Sequence, residues 1–480
     1  MKLSTLLSGY KVNNQFDDVE IGGINYDSRK VKNGDVFVCV TGFLQDGHKY
    51  AESAVEAGAV AVICERELEL SVPCVLVDNT REALAFMSDV FYDHPTRKLK
   101  LIGVTGTNGK TTTTFLVKNI LEAAGYKVGL IGTNKNMIGD REIPTERTTP
   151  ESLELNALFA EMAGEGMDYA VMEVSSHSLD LSRVAYCDFD IGAFTNLTQD
   201  HLDFHETMEN YLSAKAKLFD LCRTGIINND DVSGRKIAAS CSAVTVLYGM
   251  DSACDIYGFN ADFGSNGVVF DCDMLGRKKK IRINTPGKFS VYNALCAIGI
   301  CTACGITAEV IADGLLKVEG VCGRAEVVPT KQDYTVMIDY AHTPDGIENI
   351  LRSIRGFAKG RVVILFGCGG DRDRTKRPKM GKIAGELADF CIVTSDNTRT
   401  EDPDFIISEI VPGVVETGCE YVVVPNRKDA IKYALDNARK DDVILLAGKG
   451  HETYQILNTG TIHFDEREIV REILGEGNCD

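Results

Sequence analysis

Short apolar runs alternate along this chain with stretches of helical spacing, and nearly every run ends in a polar, glycine-rich loop. The runs at 36–40 (VFVCV), 59–64 (AVAVIC) and 73–77 (PCVLV) predict buried strands, with helices over 51–57 and 81–92. The segment 94–98 (HPTRK) reads as a linker. A second series begins with the run 101–104 and continues with 127–131 (KVGLI), a helix over 152–162 opened by Pro150, strands at 169–172 and 191–194, and a helix over 208–221. Residues 222–285 read as alternating strands and turns (243–248, 267–270, 280–283), before helices over 291–303 and 309–316. Gly320 to Arg324 marks a boundary, and a third series places strands at 336–340, 361–366 (RVVILF), 390–394, 421–424 and 443–446. Apolar runs of this kind belong to strands covered on both faces, so the pattern predicts an α/β chain with mostly parallel sheets. The expected division is 1–98, 99–326 and 327–480.

Composition narrows this picture. A chain of 480 residues with 44% hydrophobic and 25% charged residues is globular. Its length suits three domains at about 150 residues each. The formal net charge of -19 argues against a nucleic-acid surface, which needs a basic footprint. No apolar run reaches the ~18 residues of a membrane span. The apolar start at Leu3, Leu6 and Leu7 is cut short by Gly9, Tyr10 and Lys11, so no secretory leader is expected and a cytoplasmic location is. The 16 cysteines include several in apolar strands (Cys39, Cys64, Cys74, Cys391), as expected of reduced thiols that pack as small hydrophobes.

The stretch 99–116, LKLIGVTGTNGKTTTTFL, carries the clearest chemistry. A strand, the loop Gly106-Thr107-Asn108-Gly109, then Lys110, Thr111 and Thr112 opening a helix make a phosphate cradle. Loop N–H groups and the helix N-terminus face the anion, the lysine reaches the outer phosphates, and the Thr111 hydroxyl suits Mg²⁺. The common longer pattern would place glycine at 104, where this chain has valine, so the match is to a shorter G-T-x-G-K-T form. The competing reading is a plain glycine-rich turn between core elements.

Downstream, two successive strands end in hydroxyls, an acid and a histidine: Glu173 with Val174-Ser175-Ser176-His177, and Thr195 to Asp203 containing His201. Either alone suits a helix cap; together they suggest a site beside the phosphate loop, with Glu173 placed as a metal ligand. The helix over 208–221 holds Lys215 and Lys217, and spacing alone reads both as solvated surface lysines. In the third series, Gly367-Cys368-Gly369-Gly370 lacks dinucleotide spacing, but polar loops follow every strand, where open α/β sheets bind ligands. Arg372 and Arg399 suit a carboxylate and Glu452 an ammonium, which points to an amino-acid substrate. From the residues alone this is an ATP-dependent ligase or transferase.

The motifs together resemble the Mur ligases, and among them the UDP-N-acetylmuramoyl-tripeptide synthetases. The likeness rests on Asp27-Ser28-Arg29, GTNGKTTT at 106–113, Thr148-Thr149-Pro150, MEVSSHSL at 172–179, FTNLTQDHLDFH at 194–205 and AKAKLF at 214–219. It continues through YNALCAI at 292–298, GRAE at 323–326, DYAHTPD at 339–345, GCGGDRDRTKRPKMG at 367–381, DNTRTEDP at 396–403 and GKGHET at 448–453. The resemblance implies an N-terminal UDP-sugar-binding domain (1–98), a central P-loop ATPase (99–326) and a C-terminal Rossmann-like amino-acid-binding domain (327–480).

It implies that ATP phosphorylates a carboxylate of UDP-N-acetylmuramoyl-L-alanyl-D-glutamate, and that a diamino acid's amine attacks the acyl phosphate, in peptidoglycan precursor synthesis. Lys110, Glu173, His201 and Lys215 would be catalytic; Thr111 and Glu173 would hold one Mg²⁺ and His201 a second, with Lys215, carrying a CO₂-derived carbamate, also in the metal site. Gly106 to Thr112, Asn293, Arg324, Asp339 and His342 would hold ATP. Ser28, Thr148, Thr149, Ser175 and Arg183 would hold the UDP-peptide, and Arg372, Asp396, Asn397, Arg399, Gly448 and Glu452 the diamino acid. The family's proline before Gly-Arg is Cys322 here, and its Asp-Asn-Pro-Arg motif is Asp396-Asn397-Thr398-Arg399. The kept arginine implies meso-diaminopimelate, whose distal carboxylate L-lysine lacks. Alternatives are the lysine-adding ligase, a folylpolyglutamate synthase, which lacks an N-terminal UDP domain, and an ATP-binding protein with no ligase activity. A monomer without nucleic-acid or membrane partners is expected.

Overall fold

In the computed structural model, which describes residues 1–42, 45–145, 147–251, 254–264 and 267–475, the strands form three main sheets and a small hairpin. The first sheet has four parallel strands in chain order, Gly23–Asn25, Asp35–Val38, Ala61–Cys64 and Cys74–Leu76. The helix Thr80–Phe91 packs Leu84 and Met87 onto its core with Val36, Ile63 and Val75. Asn79 caps that helix, its side-chain oxygen accepting the N–H groups of Arg81 and Glu82.

The central sheet has eleven strands. Its parallel heart runs Val244–Gly249, Cys222–Asn228, Phe189–Phe194, Lys100–Thr105, Tyr169–Glu173, Val128–Ile131. One face carries the helices Lys110–Ala123 and Lys288–Ala303 on Ile102, Val104 and Val171; the other carries Ser152–Gly164 on Leu101, Ala170 and Met172. Alternate residues of one strand thus serve opposite cores, which is why the strand reads as an unbroken apolar run. Antiparallel strands close both edges: Asn136–Ile138 and Arg141–Ile143 at one, Gly267–Met274 and Arg277–Ile283 at the other.

The third sheet has six strands in the order Glu326–Val328, Thr335–Asp339, Val443–Ala447, Val362–Phe366, Phe390–Val393, Glu420–Val423, parallel except for the first. Helices Pro344–Arg355, Lys376–Leu387 and Pro403–Thr417 cover one face, and Arg427–Asp436 and Glu466–Leu474 the other.

Several segments differ from expectation. The stretch 94–98 is a packed 3₁₀ turn rather than a loose linker: Pro95 and Thr96 are buried, and the Thr96 hydroxyl accepts the Asp188 N–H. The helix expected over 208–221 ends at Ala216 and tightens into a 3₁₀ turn, Lys217–Asp220. The region 222–285 also holds the helix Val232–Ser240, capped by Asp231, and the strands Cys222–Asn228 and Ile256–Gly264. A hairpin, Tyr454–Leu457 with Gly460–His463, follows the last sheet strand. The described cysteines are all free. Cys301 and Cys304 have C-x-x-C spacing at a helix end, and burial pushes the Cys304 thiol up to about 11, which favours the protonated thiol over the thiolate. Among the described residues no helix is long and apolar enough to cross a membrane.

Candidate active site

Strand Lys100–Thr105 lies between Tyr169–Glu173 and Phe189–Phe194, so the loops leaving all three carboxyl ends meet. Gly106 and Gly109 sit at φ 146° and 87°, open to glycine. A Cβ at Gly106 would lie 1.9 Å from Thr195 Oγ1, and one at Gly109 2.3 Å from Asn293 Oδ1. Val104 is a fully buried strand residue paired with Ala193 and Glu173. The strand therefore runs on to Thr105, and the glycine loop is short.

The neighbouring strand end braces this loop. The Thr107 N–H donates to Asn196 O at 2.9 Å, the Asn108 N–H to Asn196 Oδ1 at 2.9 Å, and Thr195 Oγ1 to Asn108 O at 2.6 Å. Lys110 Nζ folds back onto the carbonyls of Gly106 (2.9 Å) and Thr107 (2.8 Å). Lys215 Nζ reaches the same Gly106 carbonyl at 2.8 Å and lies 4.4 Å from the centre of the Tyr211 ring. Lys215 is 1% exposed, and burial, then the charge of Lys110, hold its ammonium well below the usual lysine range. Lys217 is at the surface, paired with Asp180 at 2.7 Å. The two lysines, alike in sequence, are separated by burial.

Glu173, 1% exposed, accepts the Thr133 N–H at 2.8 Å and the Thr133 hydroxyl at 3.0 Å. Its backbone carbonyl accepts the Thr149 hydroxyl at 2.9 Å, and Thr148 Oγ1 lies 3.0 Å from Thr133 Oγ1. Ser175 and Thr149 bond each other, and Arg183 donates to Thr149 O at 3.2 Å. Arg183, Arg81 and Arg147 converge on Glu151 at 3.2, 3.4 and 3.7 Å, which ties the first sheet's unit to the central one. Ser28, on the turn Ser28–Lys30, makes no hydrogen bond to this group.

His201 has φ 53° and stands on the loop mouth, its Nε2 3.5 Å from Asp200 and its ring 4.9 Å from that of His177. Burial holds His201 down to about 4 despite Asp200. Thr111, buried beside Lys110, accepts from Arg324 at 3.1 Å. Arg324 Cζ lies 4.7 Å from the Tyr340 ring, and its buried Nε has no hydrogen-bond partner among the described residues.

From the third unit, Asp339 accepts the N–H groups of Ala325 (2.6 Å) and Ala341 (2.8 Å), and burial pushes it up. His342 Nδ1 lies 2.7 Å from Tyr340 O, so Nδ1 is the protonated nitrogen. Asp345 reaches across to the phosphate loop, accepting from Asn108 Nδ2 at 2.6 Å and Thr198 Oγ1 at 2.9 Å.

A second cluster lies at the ends of strands Phe390–Val393 and Val443–Ala447. Asn397 Nδ2 donates to Glu452 Oε2 at 2.9 Å, and Asp396 and Gly448 are in close approach. Arg399, at φ 52°, donates to Gly370 O at 2.9 Å and Asn397 O at 3.4 Å. Arg372 is exposed beside it, lining an open cleft of 590 Å³ with Asp203, Asp371 and Phe405. Thr398, where the resembled motif has proline, is buried, and its N–H donates to no described group, so proline's missing donor is not needed here. Reading the sequence missed Asn196, Tyr211, Asp345 and Lys449. All lie inside quoted motifs or one helical turn from Lys215, but only packing shows what each touches.

Among the described residues no three His, Cys, Asp or Glu side chains form a metal cage. A hydroxyl, Thr111, and a carboxylate, Glu173, beside an anion loop still fit Mg²⁺, which takes one or two protein oxygens together with substrate phosphates.

Three family models cover most of the chain: Mur ligase family, catalytic domain over 20–92; Mur ligase middle domain over 104–301; and Mur ligase, glutamate ligase domain over 323–450. A UDP-N-acetylmuramoyl-L-alanyl-D-glutamate–2,6-diaminopimelate ligase from Clostridium botulinum is 50% identical over 95% of this chain and 96% of its own. A similarly named ligase from Caldanaerobacter subterraneus is 50% identical over 99% of both. A solved structure of a ligase of that name superposes with TM-score 0.69 at 31% identity over 95% of both chains. A folylpolyglutamate synthase from Mycobacterium tuberculosis, at 17% identity and TM-score 0.65 over 82% of this chain and 95% of its own, shares the fold. With a phosphate loop of this short form and relatives matched end to end, the chain belongs to the Mur ligase family.

Proposed function

We propose that this protein is an ATP-dependent ligase that joins meso-diaminopimelate to the D-glutamate carboxylate of UDP-N-acetylmuramoyl-L-alanyl-D-glutamate, in the cytoplasm, as a step of peptidoglycan precursor synthesis. The observation that carries the choice of amino acid is Arg399, whose guanidinium borders the Asn397–Glu452 pair. Arg399 would take the distal carboxylate and Glu452 an ammonium, with Asp396, Asn397, Gly448 and Arg372 around them. The names of the half-identical relatives point the same way.

In this reading the domains are 1–98 for the UDP-sugar, 99–326 for ATP and 327–480 for the amino acid. Gly106 to Thr112 cradle the phosphates, and Asn293, Arg324, Asp339 and His342 hold the rest of the nucleotide. Ser28, Thr148, Thr149, Ser175 and Arg183 orient the UDP-peptide so that its carboxylate meets the γ-phosphate. Two anions approach there, and Lys110 supplies positive charge where they meet. Thr111 and Glu173 would hold one Mg²⁺ and His201 a second, and such ions would supply further charge neutralisation. Phosphoryl transfer makes an acyl phosphate, the incoming amine attacks it, and the tetrahedral intermediate expels phosphate to leave the amide.

Lys215 is the proposed carbamate site. A buried lysine whose charge is disfavoured holds the neutral amine that adds CO₂, and the resulting anion suits a metal where an ammonium would repel it. The test of the ligase reading is phosphate release. It should require both UDP-N-acetylmuramoyl-L-alanyl-D-glutamate and a diamino acid; release with ATP alone at the same rate would sink it.

A further inference from the structure

The pocket around Glu452 contains a lysine that the proposed reaction does not use. Lys449 is fully buried. Its Nζ lies 3.0 Å from Glu452 Oε2, 3.2 Å from Asn397 Oδ1 and 3.6 Å from Asp396 Oδ1. It also lies 5.7 Å from the Tyr454 ring centre and 6.0 Å from that of Phe464. A buried ammonium is costly unless paired, so this placement has a reason beyond packing.

Beneath it sits a second buried ion pair, Arg427 with Glu466 at 2.8 Å. Arg427 also donates to Ala447 O at 2.8 Å and Ser395 O at 3.5 Å, fixing the two strand ends that carry Lys449 and Asp396. Arg427 and Glu466 cancel each other's charge. That leaves Asp396 and Glu452 against Lys449 and, on the Asn397 side of the pocket, Arg399. With Arg399 engaged by the substrate's distal carboxylate, one pocket carboxylate is left uncompensated, which matches a single substrate ammonium.

We propose that Lys449 is a positioning residue that sets the charge of this pocket, holding Asn397 and Glu452 in place and cancelling one of two carboxylates so that one is left for a substrate ammonium. The proposal rests on the reading that the diamino acid binds here. Without Lys449, two uncompensated carboxylates repel each other and Glu452 loses its fixed position. Asn397 Oδ1 also accepts the Ile456 N–H at 2.9 Å, so the hairpin beside the pocket is held to the same network.

The experiment is steady-state kinetics of Lys449→Met and Lys449→Gln with diaminopimelate, ATP and the UDP-dipeptide. KM for diaminopimelate is expected to rise about ten- to a hundredfold in both, as loss of a charged hydrogen-bond partner implies, while the other two KM values stay put. A cycle with Asp396→Asn adds the charge test. Removing Lys449 in that background should cost less than in the wild type, because only one carboxylate then remains. Additive effects, or an unchanged KM, would overturn the proposal. So would loss of nucleotide binding in both single variants, since the role would then be structural. Glu452→Gln separates the two layers: if it too leaves the diaminopimelate KM unchanged, the placement of the amino acid fails; if it raises KM and the Lys449 variants do not, only the present proposal fails.

Discussion

Two lysines two positions apart, Lys215 and Lys217, show how much a residue's role depends on where it is buried. Spacing reads both as surface groups, yet Lys215 is in the phosphate-loop wall and Lys217 in solvent. Lys215→Ala should lower ligase turnover about 10²–10³-fold, the scale of one lost charge-stabilising group, while Lys217→Ala leaves it unchanged. The wild type incubated with isotopically labelled bicarbonate should show a carbamate carbon signal in nuclear magnetic resonance that the Lys215 variant lacks. Arg399→Ala should weaken diaminopimelate by about 2–5 kcal/mol, the cost of an unpaired buried charge, and leave KM for ATP unchanged. His451 belongs to the same scale. Burial, then the charges of Arg324 and Arg467, hold it down to about 4 from 6.5. As pH falls, the unfolded chain takes up this proton first. The stability it contributes is therefore complete above pH 6.5 and lost progressively between pH 6.5 and 4. Melting temperature followed against pH should fall less steeply over that window in His451→Gln.

At the scale of elements, the helix Pro344–Arg355 does two things. Its apolar face packs Ile347, Ile350 and Leu351 into the third unit's core, and its first turn presents Asp345 to Asn108. Burial pushes Asp345 up, with the hydroxyl of Thr198 opposing. Asn108→Ala and Asp345→Ala should each raise KM for ATP. Their double-mutant cycle should show about 0.5–3 kcal/mol of coupling, as for residues in direct contact. Elements are also where the sequence was most legible. Unbroken runs such as 101–104 and 361–366 became strands covered on both faces, because both faces demand apolar residues. The run 267–270 covers only part of the strand Gly267–Met274: half-buried positions, two of them aspartates, alternate with the buried Val268, Phe270, Cys272 and Met274, so its second half forms no unbroken apolar run. The strand Cys222–Asn228 opens on Arg223 and Thr224, polar groups that face Asp188 and solvent at the sheet's end, and so hides its apolar half.

At the scale of the molecule, three separate sheets deliver loops to one region. Arg81, Arg147 and Arg183 meet at Glu151 between the first two units, while Arg324, at the boundary before the third sheet, and Asp345, from the third unit, reach the phosphate loop. Such contacts span more than a hundred positions in several cases, so no local pattern carries them. The loop motifs around Glu173, His201, Asp396 and Glu452 were legible because their residue types are chemical. Lys449 was not, because a lysine between two glycines looks like any solvated turn until its burial is known. Together these loops are proposed to make a ligase selective for meso-diaminopimelate. The most direct test is amide formation measured side by side with diaminopimelate and L-lysine on UDP-N-acetylmuramoyl-L-alanyl-D-glutamate. A clear preference for diaminopimelate that Arg399→Ala erodes is expected; a preference for lysine, or no amide with either, would overturn the assignment.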